Sequence, residues 1–248
     1  MAHDGLAYTM DTTGKADLKE AIATWSDVLA RYARIGVRLE RPVSLVIEDM
    51  PIMGATESTA DGHRLHIAAH AVGSGMLDGL MAHEMGHMVR TERGHPSHRT
   101  EIHRRVFDSI DVPARQRRAF GGIARGAVNH VEDIYADDLA IEVIGRDRDI
   151  AGFFSGWVRN SAQPGNTRWE TVGNGVTIAF ALGNMARHGI EAEPGTVRRA
   201  EAFAKASKLE AFPRFVAAFR DLPKTDDEGP IEAAIRDLLS GIASEGRA

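Results

Sequence analysis

Residues 83–87 read His83-Glu84-Met85-Gly86-His87, inside the run Ser74–Arg93, SGMLDGLMAHEMGHMVRTER. The run has the marks of a helix. Ser74 offers an N-cap, and Gly94, Pro96 and Ser97 close its far end. On that helix His83 and His87 stand one turn apart on one face, where two imidazole nitrogens can reach a single ion. Glu84 points about 100° away, within reach of a water on that ion. Zinc would lower the pKa of such a water toward ~7, and the carboxylate could take its proton. The chain has 11 His, and chance placement gives on the order of 0.03 matches to H-E-x-x-H.

The same helix carries a stripe of small residues, Gly75, Gly79, Ala82 and Gly86, beside an apolar stripe of Leu77, Met81, Met85 and Met88. A helix that is small or apolar almost all round is expected to be buried. Its small stripe would let another backbone approach closely, so Gly86→Leu is expected to destabilise the fold.

A catalytic zinc needs a third protein ligand and an open position. The segment Asn129-His130-Val131-Glu132-Asp133-Ile134-Tyr135-Ala136-Asp137 lies on a second expected helix, 127–144. There Asn129, Asp133 and Asp137 recur every four residues among small and apolar neighbours. Asp133 is the expected ligand and Glu132 the alternative, with Asp137 and Asn129 as hydrogen-bond partners of the ligating groups. His95, His98, His130 and Tyr135 are candidates for contact with a substrate or for steadying an oxyanion.

Outward from these segments, helical periodicity covers Asp17–Ile35, with Leu18, Ile22, Trp25, Leu29 and Tyr32 on one stripe. Val43–Ile47 reads as a buried strand and His63–Ala69 as a second strand, at a sheet edge, with a loop from Pro51 to Gly62. A Gly/Ser/Asn-rich stretch to about Gly175 reads as a loop or connection. Helices are expected at Val176–His188, Thr196–Phe212 and Ile231–Ile242. The fold class is therefore α+β, mostly helical. A core at 1–150 holds a small sheet ahead of the two ligand helices, and 151–248 form a helical C-terminal extension packed on it.

Composition narrows the chemistry. The chain has 248 residues and no cysteine, which excludes disulfides, thiolate metal sites and a thiol nucleophile. The net charge of −5 weighs against a polycationic nucleic-acid binder. Residues 90–125 hold 9 Arg against 4 acids, and 132–149 hold 7 acids against 2 Arg. These stretches either attract each other or are solvated faces. No apolar stretch approaches the ~20 residues of a membrane span. The first 20 residues lack an apolar core, so a soluble, cytoplasmic protein without a signal peptide is expected.

The two segments together resemble gluzincin-type zinc metallopeptidases. Asp133-Ile-Tyr-Ala136-Asp137-Asp-Leu139-Ala140 is similar to the third-ligand segment of ImmA/IrrE-like members. The resemblance covers roughly 17–145. It implies one catalytic zinc held by His83, His87 and Asp133, Glu84 as general base and acid, and Asp137 supporting a ligand. It also implies a minimal core in which the last strand, here His63–Ala69, lies over the cleft and pairs with an extended substrate. Two departures stand out: Asp occupies the place of the usual Glu, and the gap from His87 to Asp133 is long. The expected function is a zinc-dependent hydrolase, most simply a metallo-endopeptidase acting on a peptide or protein. The alternative is a regulatory or protein-binding protein with a mainly structural zinc.

Overall fold

The first helix starts where the sequence supplies a cap. The computed structural model describes residues 6–145 and 150–247, and in it α1 (Leu18–Arg34) opens on Asp17, whose carboxylate accepts the Lys19 and Glu20 N–H groups. Its buried face is Ala21, Trp25, Val28 and Tyr32. β1 (Leu6–Asp11) precedes it, and β2 (Val43–Glu48), β3 (Gly54–Ser58) and β4 (His63–Ala68) follow. The long helix α2 (Leu77–Glu92) comes next. Then come α3 (Thr100–Ser109), α4 (Arg117–Ile144), α5 (Ile150–Ser161), α6 (Arg168–His188), α7 (Thr196–Ala206), α8 (Phe212–Arg220) and α9 (Glu228–Arg247). The class is α+β and mostly helical. Among the described residues no helix is long and apolar enough to cross a membrane.

The sheet has the order β1-β2-β4-β3. β1 and β4 each run parallel to β2, and β3 returns antiparallel to β4. Two expectations are corrected here. The segment 51–62 is not all loop, because Gly54–Ser58 pairs along β4. His63–Ala68 is not an edge strand, because β2 and β3 hydrogen-bond to its two sides; the edge belongs to β3. The short, polar GATES sequence carries little strand signal of its own, and its pairing with β4 overrides that weakness. β1 carries little strand signal for a related reason: Tyr8 and Met10 are exposed, and no alternating core face marks it.

The chain divides into two units, residues 1–98 with 135–145, and residues 99–134 with 146–248. The first holds the sheet, α1, α2 and the end of α4 around a core that includes Trp25, Tyr32, Leu45, Ile47, Leu65, Ile67, Met81 and Met85. The second is helical. It takes residues 99–134, which the expected division assigned to the core. The boundary expected near residue 150 adjoins 146–149, which lie outside the described residues, as do the last four positions of the acidic stretch. Within the second unit α5 and the first turns of α6 replace the loop expected up to Gly175. Part of that stretch packs closely in a way that its Gly content conceals: Phe154, Val158 and Val172 are buried, and a Cβ on Gly173 would stand 2.6 Å from Ile123 Cδ1. The Arg-rich stretch pairs partly with α9, where Arg99 Nη1 meets Glu228 Oε2 at 2.7 Å and Arg105 joins Glu228 and Glu232.

Candidate metal centre

α2 has no exposed residue, in keeping with its stripes, and Leu77, Met81, Ala82, Met85, Gly86, Met88 and Val89 lie inside. It begins at Leu77 rather than at Ser74, whose hydroxyl donates to Ala71 O (2.7 Å) instead of capping. The close approach expected of the small stripe is found at Gly86. A Cβ there would stand 2.6 Å from Ala136 O and 2.9 Å from Ala136 Cα. α4 therefore lies backbone to backbone on α2 beside His87. Tyr32 adds a tie from α1, its hydroxyl donating to Ala82 O (2.7 Å), while burial, then the Asp137 charge, keep that phenol protonated.

The two imidazoles converge. His83 Nε2 and His87 Nε2 lie 3.1 Å apart, while their Nδ1 atoms point to partners on the far side. His83 Nδ1 donates to Asp137 Oδ1 (2.7 Å), and His87 Nδ1 meets His98 Nε2 (2.8 Å). A neutral His83 that gives its proton to a carboxylate presents a lone pair at Nε2. α4 is unbroken from Arg117 to Ile144, and Asp133 sits on it one turn before Asp137. One ligand atom from each of His83, His87 and Asp133 lies within 4.8 Å of the other two. Neighbouring ligands on a tetrahedral ion with bonds of ~2.0–2.1 Å stand about 3.3 Å apart. The 3.1 Å pair is close to that spacing, and the donor set of two imidazoles and a carboxylate suits zinc. These three residues could hold one ion.

Glu132 does not enter the group. Its carboxylate lies 3.7 Å from His103 Nδ1, and burial, then the Asp133 charge, push it up to about 8. Glu84 is buried and its Oε2 accepts from Thr56 Oγ1 at 2.8 Å. The carboxylate adjoining the His pair is thus held by the sheet's edge strand. The sequence around Thr56 reads as a loop and gives no sign of this contact.

The other expected residues scatter. His95 and Tyr135 are buried, their rings 4.6 Å apart, with Arg90 donating to Tyr135 O (3.0 Å) and its guanidinium over that ring. Their burial contrasts with the substrate contact expected of them. His98 lies behind His87. His130 stacks on Phe180 at 4.1 Å in the helical unit and reaches Asp133 Oδ2 only at 3.4 Å. Asn129 is exposed on α4. Ser97, which the sequence marks only as part of the helix end, has a hydroxyl that meets both His95 Nδ1 (2.7 Å) and His98 Nδ1 (2.8 Å).

A second buried polar group lies at the other end of α2. Glu92 accepts from the Glu40 N–H and Arg41 N–H (both 2.8 Å) and from the His63 ring (2.9 Å). Burial would raise its pKa, but these hydrogen bonds outweigh burial and hold the carboxyl below its ordinary range. It pins the α2 terminus to the strand ends and needs no ligand.

The model of a family of unknown function, DUF5781, matches residues 31–243 of the chain. No curated protein matches it, and no solved structure does.

Proposed function

We propose that this chain, which belongs to the DUF5781 family of unknown function, is a zinc-dependent hydrolase, and in particular a metallo-endopeptidase. One observation carries the reading: His83 and His87 turn their Nε2 atoms to one point 3.1 Å wide, with the Asp133 carboxylate beside it and Glu84 next in sequence. Bound there, zinc would supply Lewis acidity and a water of lowered pKa. Asp137 holds His83 so that Nε2 faces the ligand point. Glu84 takes the proton of the attacking water and later gives it to the leaving amine. The Thr56 hydroxyl keeps that carboxylate at a fixed place on the sheet's rim.

A peptide substrate is favoured by the strand beside the acid. β3 is the last strand of its sheet, and an extended chain can add to such an edge by main-chain hydrogen bonds. The role that the resemblance gave to His63–Ala69 falls to Gly54–Ser58, whose residue Thr56 touches Glu84.

The test is Glu84→Gln. Zinc content should stay at one ion per chain while hydrolysis of unstructured protein substrates falls by three orders of magnitude or more. Turnover equal to the parent's would remove Glu84 from the mechanism. Chelation adds a second arm: loss of turnover with the fold retained supports catalysis, whereas unfolding on metal removal supports a structural ion.

A further inference from the structure

The hydrogen bonds behind His87 form a chain with one self-consistent direction. The Ser97 backbone N–H donates to His95 Nδ1 (3.2 Å), so that nitrogen carries no proton. Ser97 Oγ, 2.7 Å from the same nitrogen, must then give it the hydroxyl hydrogen. With its one hydrogen spent, Ser97 Oγ can only accept at its second contact, from His98 Nδ1 (2.8 Å). A neutral His98 protonated at Nδ1 has a bare Nε2, which accepts from His87 Nδ1–H (2.8 Å). His87 is thereby left with its lone pair at Nε2, aimed at the Nε2 of His83, which Asp137 fixes in the same tautomer.

We infer that His98 is the positioning residue for His87: a relay of His95, Ser97 and His98 holds His87 in the Nδ1–H tautomer and so readies its Nε2 for the ion. This deepens the proposed function and rests on it for the identity of the ion, but not for the tautomers. The relay supports one imidazole as Asp137 supports the other, and it uses a neutral acceptor where Asp137 supplies a charge. Its members come from the short turn Pro96–His98 and the residue before it, with His95 buried against Tyr135, so the turn is anchored before it meets His87.

Two measurements test this. In the zinc-free full chain at neutral pH or above, two-bond proton–nitrogen correlation spectra of the imidazoles should show His83, His87 and His98 as Nδ1–H tautomers and His95 as Nε2–H. His98 protonated at Nε2, alone or at both nitrogens, overturns the relay. Zinc affinity, read by competition with a chromophoric chelator, should fall ~10–100-fold in His98→Met. His98→Gln offers an amide oxygen to His87 Nδ1–H and should restore affinity to within about threefold of the parent. Equal affinity in parent and His98→Met, or no recovery with Gln, overturns the positioning role. A parent that binds no zinc overturns the functional reading, and the spectra still decide the relay.

Discussion

Replacing Gly86 by alanine adds one methyl group where two helices meet at their backbones. The new Cβ would lie 2.6 Å from Ala136 O, roughly 0.9 Å short of the ~3.5 Å at which such atoms rest. Neither side can swing away, because the obstacle is main chain, so α4 must slide or lift. Overpacking of this kind costs about 1–3 kcal/mol, and the better helix propensity of Ala returns up to ~1 kcal/mol. A net loss of about 1 kcal/mol is expected, or a fall in Tm of ~2–4 °C for a chain of this size. The displacement also reaches the ligand point, because Asp137 follows Ala136 directly and holds His83 at 2.7 Å. A shift of that extent would stretch this bond beyond hydrogen-bonding range, and zinc affinity should drop by ~10–100-fold. Thermal unfolding in excess chelator isolates the packing cost, and chelator competition reads the metal. Gly79→Ala on the same helix is the control, since its Cβ would meet only Ile144 Cδ1, at 3.6 Å. If Gly86→Ala matches that control in both assays, the contact between α2 and α4 at Gly86 does not set the site.

Two further outcomes separate neighbouring carboxylates. Asp133→Asn should lose zinc affinity by two orders of magnitude or more, while Glu132→Gln retains it within about threefold. Glu132 is raised from 4.5 to about 8 by burial and by Asp133, so the folded chain holds its proton more tightly than the unfolded chain. The parent should therefore lose stability as pH rises through that window, and Glu132→Gln should not, as denaturant midpoints at pH 5 and pH 8.5 would reveal. Glu92 has the opposite sign. Its carboxyl is held below its ordinary 4.5, so its contribution is present above that value and disappears as the medium becomes more acidic. Glu92→Gln should cost about 1.5–3 kcal/mol at pH 7 and flatten the acid limb of the stability profile.

The parts of the molecule that the sequence made legible are those whose signal is local. His83 and His87 are paired by helical spacing alone, and Asp133 is recognisable because a polar stripe set among Gly126, Ala136, Ala140 and Ile144 is out of place on a solvated face. The closeness of Gly86 to a second backbone follows from a stripe of small residues. What stayed hidden depends on partners distant in sequence. β3 becomes a strand because β4 offers it a ladder, and only that pairing brings Thr56 to Glu84. His98 lies eleven residues beyond His87, past the end of α2, and nothing in its spacing says that the following turn carries it back. Gly173 and Gly175 at the start of α6 lie where Ile123 and Leu209 press against the backbone, so a loop-like composition there describes close packing.

The hydroxyl of Thr56 belongs at once to the outermost ribbon of the sheet and to the acid that would accept a proton. On the proposed reading, a polypeptide laid along that ribbon would tug on the residue that anchors the acid. Recognition and bond cleavage would then be mechanically joined, and a substrate gripping the rim poorly would be cut slowly even when its scissile group reached the ion.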